Sequence, residues 1–217
     1  MNYAEKQIHE LKNLVTRYRR IPQQAHHDFI AFYENFYGLI HQLDFDEMVE
    51  IKFTYLKSLY QLEFLDLFYK QCDKFIFDLL NHDEFKPRHQ KIYEEIIFLK
   101  SCALKDELKT KDSMNILASL VKLNKTEKKF LKTYETGLYQ EEMILAKPLI
   151  AMTILLILST LVLTASQLFI IQHFYQNLVS GIELARNICF GMAISLFVFI
   201  QGRAYYRLKR KVRSIVK

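Results

Sequence analysis

Tryptophan is absent from this chain, and glycine, proline and cysteine are scarce: five, three and three among 217 residues. Each shortage excludes something. Reversals of the backbone lean on glycine and proline, so their scarcity starves turn-rich sheets and favours long helices. None of the five glycines lies within six residues of another, which rules out a Gly-rich phosphate loop of dinucleotide or Walker type. Cys72, Cys102 and Cys189 are widely spaced and odd in number, giving neither a disulfide framework nor a CxxC metal site, and they read as reduced cytosolic thiols. HExxH, GxSxG and close Cys/His clusters are also missing. His26 and His27 are adjacent and so point to different faces of a helix, which does not suit a shared metal. The paired carboxylates (Glu94 and Glu95, Glu141 and Glu142, Asp44 with Asp46 and Glu47) read as caps or solvated faces. No catalytic residue, cofactor or metal is therefore expected.

What is abundant is Leu, Ile, Phe, Tyr, Lys and Glu, with 17 Phe and 13 Tyr. The aromatics recur at helical spacing, which assigns them to a core before any stacking on nucleobases. The expected fold class is all-α. The net charge of +6 would suggest a nucleic-acid binder until the charges are located. Residues 1–147 hold 22 Lys/Arg against 23 Asp/Glu, residues 148–202 hold only Glu183 and Arg186, and the excess sits in Arg203, Arg207, Lys209, Arg210, Lys211, Arg213 and Lys217. Directly after an apolar stretch, such a tail matches a cytoplasmic flank under the positive-inside rule better than a phosphate-backbone ligand. Nucleic acid is thus not the expected partner. The tail and the basic cluster Lys122, Lys125, Lys128, Lys129 and Lys132 are candidates for contact with anionic lipid headgroups.

Leu149 to Ile171 is apolar but for a few Ser, Thr and Gln, and 23 residues of helix reach about 34 Å against a hydrocarbon core of about 30 Å. A domain this small has no interior able to surround such a helix on every side. A second span is expected over Leu178 to Ile200, with Glu183 and Arg186 on one face and able to pair near the far interface. The alternative is one span followed by a re-entrant or amphipathic helix. The expected domains are residues 1–147 as a cytosolic helical domain, 148–202 as a transmembrane hairpin (about 149–171 and 178–200) and 203–217 as a basic cytosolic tail. The loop around His173 to Ser180 carries no Lys or Arg, so both termini are expected on the cytoplasmic side of the cell (inner) membrane. The N-terminal stretch shows no signal-peptide pattern, which argues against export of this domain.

Each span carries a stripe of small or polar residues: Thr153, Thr160, Thr164 and Gln167 in the first, Asn187, Gly191, Ser195 and Gly202 in the second. Lipid supplies no hydrophobic reason for helices to associate, so these stripes are expected to zip the hairpin by close approach and interhelical hydrogen bonds. The other use of such faces, in several copies of the chain, is to line a pore.

In residues 1–147 the breaks suggest about seven helices: Tyr3–Arg19, Gln24–His41, one from Phe45 after an Asp44/Glu47 capping box, one after a bend near Tyr60 to Glu63, one after Pro87, one capped by Asp112 and one started by Asn124 with Glu127. Ile92 to Asn124 resembles a degenerate tetratricopeptide repeat, with Ser101 and Ser113 at small positions and Leu104, Leu117 and Leu120 at large apolar ones. Phe53 to Leu80 has similar rhythm, but the repeat's Trp, Leu-Gly pair and closing Pro are missing, and Phe68 stands where a small residue is expected. The resemblance implies helical hairpins with a concave face for peptides or partner helices; plain bundle packing gives the same pattern. Function is accordingly expected to be a membrane-anchored scaffold that recognises a protein on the cytosolic face, with homo-oligomers possible through the spans. In layout alone the chain also resembles the two-helix membrane-disrupting effectors of bacterial anti-phage systems.

Overall fold

Helix α1 (Tyr3–Arg19) stops short of Pro22, whose ring and missing N–H forbid continuation. The computed structural model describes residues 3–171 and 175–216, and the elements that follow are α2 (His26–Asn35), α3 (Tyr37–Ile40), α4 (Phe45–Gln61), α5 (Leu65–Leu80), α6 (Pro87–Asp106), α7 (Thr110–Leu123), α8 (Lys128–Leu145), α9 (Lys147–Ser166), a π-helical turn (Gln167–Ile171), a 3-10 turn (Gln176–Leu178) and α10 (Val179–Val216). Among the described residues 86% are helical and none is in a strand, so the chain is all-α. It divides into two compact units, residues 1–120 and 121–217.

In the first unit, α4 and α5 supply the centre. Val49, Leu56 and Leu59 of α4, Phe68, Phe75 and Leu79 of α5 and Ile96 of α6 are fully buried, each such side chain contributing about 1.5–3 kcal/mol. Tyr18 of α1 meets Phe29 and Phe32 of α2 at centroid separations of 5.8 and 6.0 Å, and Tyr33 stacks on Tyr55 at 4.1 Å. Two polar ties cross this core. Lys52 is buried, donates to Asp78 at 2.8 Å and lies over the Phe75 ring. His89 is also buried; its Nδ1 accepts the Lys86 N–H, which leaves the proton on Nε2 to donate to Asp46 at 2.7 Å. The hydrogen bond from Lys86, then that from His89, hold the Asp46 carboxyl below the usual carboxylate range.

Helices α4 and α6 end alike. Glu63 (φ 60°) and Leu108 (φ 62°) are left-handed, and in both turns the following N–H reaches back five residues, Phe64 to the Leu59 carbonyl and Lys109 to that of Leu104. This is the Schellman ending, built here without glycine.

Several expected boundaries are corrected. The stretch 24–41 is not one helix: Phe36 leaves helical dihedrals (φ −113°, ψ 18°) and packs against Phe32, dividing it into α2 and α3. Asp44 does cap α4, but it accepts from Asp46 N–H, while Asp46 itself serves Lys86 and His89. Helix α7 starts at Thr110, before Asp112, because the Leu108 turn sets it. Glu127 caps α8 by accepting from Lys129 N–H, and Asn124 instead closes a local turn with Thr126.

Candidate membrane hairpin

Within the second unit α8 runs into α9 with only Ala146 between them. Pro148 falls in the first turn of α9, where its missing N–H costs nothing. The chain then rises through α9, turns, and returns through α10, so that Leu145, Ala146 and Leu149 meet Ile200, Arg203 and Ala204 around a crevice of only about 10 Å³. Both helices are long and apolar enough to cross a membrane, and only 6% of each apolar window is buried. Leu155, Leu158, Leu161 and Val162 of α9 and Phe197, Val198 and Phe199 of α10 point outward. A core helix of a water-soluble domain would be covered instead. Tyr205 and Tyr206 at one end and Phe169 and Tyr175 at the other are exposed, the placement of interfacial aromatic belts.

The two polar stripes fare differently. On α9 and at the start of the π-helical turn that follows it, Thr153 is buried and Thr160, Thr164 and Gln167 are half-buried, so they share the covered side. Their hydroxyls, however, do not cross to α10: Thr153, Thr160 and Thr164 donate to the carbonyls of Leu149, Leu156 and Thr160 at 2.8–2.9 Å. Back-bonding of this kind satisfies a hydroxyl that has no water nearby. On α10, Asn187, Gly191, Ser195 and Gly202 are all exposed, and a Cβ added at Gly191 or Gly202 would meet nothing within 4 Å. The α10 face of the seam is Cys189, Ala193, Leu196, Ile200 and Ala204. The expectation that the two stripes zip together is thus corrected for α10. Alanine, not glycine, allows the close approach, and a spacing of eleven residues between Ala193 and Ala204 was the readable signal.

Side-chain hydrogen bonds between the two arms of the hairpin converge on Gln167 at the far end of the apolar part. Its amide donates to Glu183 at 2.9 Å and its carbonyl oxygen accepts from Arg186 at 3.1 Å, while Arg186 also donates to Asn187. Gln167 therefore links the two charges that the sequence suggested as a direct pair. Twenty residues separate Lys147 from Gln167, and twenty separate Glu183 from Arg203, about 30 Å of helix in each case. Polar collars thus bracket a hydrocarbon-length segment on both helices.

Helix α10 continues without a break to Val216, 38 residues in all, so the second span and the basic tail are one element. The tail lies along α8. Arg207 donates to Glu142 at 3.2 Å and Lys211 to Glu141 at 3.3 Å, and Tyr139 donates to Gln201. Glu142 is 5% exposed, a burial that its two cationic neighbours make tolerable. Arg207 and Lys211 are therefore partly committed to α8, whereas Arg203, Lys209, Arg210 and Arg213 are exposed. Lys217 and His173 lie outside the described residues. Among the described residues no cluster of His, Cys, Asp or Glu could hold a metal ion, and His26 instead hydrogen-bonds Ser58.

No protein-family model matches the chain, and comparison with curated proteins and with solved structures finds no match to it.

Proposed function

We propose that the chain is a membrane-anchored recognition protein: α9 and α10 lodge in the cell membrane, and the first unit binds a protein partner on the cytosolic face. The observation that carries the anchor is the apolar surface of the hairpin, open everywhere except along the α9–α10 seam. Hydrocarbon is the solvent in which that surface is cheapest. Orientation follows from charge. Lys147, Arg203, Lys209, Arg210 and Arg213 gather at one end of the hairpin, where they suit anionic headgroups, and the other end offers only the Glu183 and Arg186 pair held by Gln167. Support for a hairpin-repeat recognition unit comes from the matching turns at Glu63 and Leu108.

One observation favours a second reading. The Gly191, Ser195 and Gly202 stripe faces away from α9 with open space before it, which suits packing of several copies into a pore-forming or membrane-disrupting effector. Expression in a bacterial host with a potential-sensitive dye separates the two. Under the leading reading the protein resists alkaline carbonate extraction and the potential holds. A collapse of potential that Gly191→Leu abolishes would put the effector first, and recovery of folded monomer in the supernatant without detergent would end both.

A further inference from the structure

A groove of about 610 Å³ opens on the first unit between α1, α2, α4 and α6. Its floor is apolar and aromatic: Tyr18, Phe29, Phe53 and Ile92. The polar groups on that floor are largely occupied by one another. Tyr18 and Thr54 hydroxyls lie 2.7 Å apart, Thr54 also donates to the Glu50 carbonyl, and His26 meets Ser58 at 3.3 Å. The floor is therefore a surface for burying apolar atoms, while the exposed Gln23, Gln24 and Gln61 line the same groove and can meet a ligand's backbone.

The rim has a sign. Lys57 stands exposed on α4 and makes no ion pair among the described residues, and Arg88 on α6 holds Glu50, the one acidic side chain lining the groove. Two cations line the groove against one carboxylate that Arg88 already holds, so Lys57 leaves it a net positive charge on a unit whose residues 1–120 carry 16 Lys/Arg against 19 Asp/Glu. A local sign opposite to that of the whole unit selects its ligand by charge complementarity.

We infer that this groove seats an acidic segment of a partner protein, anchored by one aromatic or aliphatic side chain on the Tyr18, Phe29, Phe53 and Ile92 floor. The inference rests on the reading of the first unit as a recognition unit, and supplies the chemistry of what it recognises. Charged rim residues steer and align such a segment, and the buried anchor holds it.

The full chain in lipid nanodiscs is panned against a displayed random short-peptide library. Enriched peptides are expected to carry Asp or Glu around an aromatic or large aliphatic residue. Lys57→Glu, an exposed substitution that leaves the core alone, is expected to weaken them about tenfold, and panning the Lys57→Glu chain should shift enrichment toward basic peptides. Lys70→Glu, exposed on α5, should change nothing. Enriched peptides without acidic residues would overturn the inference, as would acidic ones indifferent to Lys57→Glu; in both cases the chain would remain a peptide binder through another surface. Absence of any enrichment would remove the groove and the partner-recognition reading together.

Discussion

Helices α6 and α9 are each twenty residues long and each carries a proline in its first turn, yet they bury opposite things. Seven residues of α6 are covered, among them His89, Glu94 and Ser101 as well as Ile96 and Phe98; in α9 only Thr153 is. Helix α6 turns an apolar stripe inward and leaves Arg88 and Lys91 to water. Helix α9 hides a hydroxyl and displays its leucines. The same backbone, started by the same device, thus follows two solvents, and the side chain that is costly to expose in one is the natural surface in the other.

That contrast breaks most severely at one position in each helix. Ile96→Asp places an unpaired carboxylate where no surface is exposed, and should cost more than about 4 kcal/mol and unfold the first unit, read as loss of cooperative melting in detergent. Leu158→Arg, midway along α9, should leave that melting transition in place and instead cost about 2.5–3.5 kcal/mol in membrane insertion, read by carbonate extraction. Equal effects of the two on either assay would erase the distinction between the helices.

A smaller effect tests the seam. Ala193→Leu overfills a position that is 2% exposed and should cost about 1–3 kcal/mol of hairpin packing, with faster maleimide labelling of half-buried Cys189. Gly191→Ala, two residues away and facing open space, should alter labelling little. The smallest effect concerns protons. Asp46 has its folded carboxyl depressed by Lys86 and His89, so the stability it adds is present above about pH 4, the usual unfolded value, and is lost as pH falls through the folded one. Asp46→Asn should flatten that acid limb in unfolding followed by circular dichroism.

Helix content and the existence of the hairpin were legible because both rest on composition over many residues: the apolar run from Leu149, the stop before Pro22, the Asp44 cap. What was hidden depends on single dihedrals or on the phase of a helix. Phe36 breaks a helix with no proline to announce it, and Glu63 and Leu108 take a conformation usually left to glycine. On α10 the obvious small residues, Gly191, Ser195 and Gly202, drew attention from Ala193 and Ala204, which lie half a turn away and form the seam. Gln167 could be seen as polar, but its role between Glu183 and Arg186 needed the fold, since those residues belong to the returning helix. The partial commitment of Arg207 and Lys211 to Glu142 and Glu141 was unreadable for the same reason.

Helix α10 passes from the Tyr205–Tyr206 belt into its charged end with no proline and no irregular turn, about 57 Å as a single rod. A joint at the membrane surface would let the two ends move independently; this rod has none. A sideways push on the Arg213 end must therefore be answered by tilt or rotation at the Glu183 end, as with an oar in its lock, and α8, bound to it through Glu142, swings along.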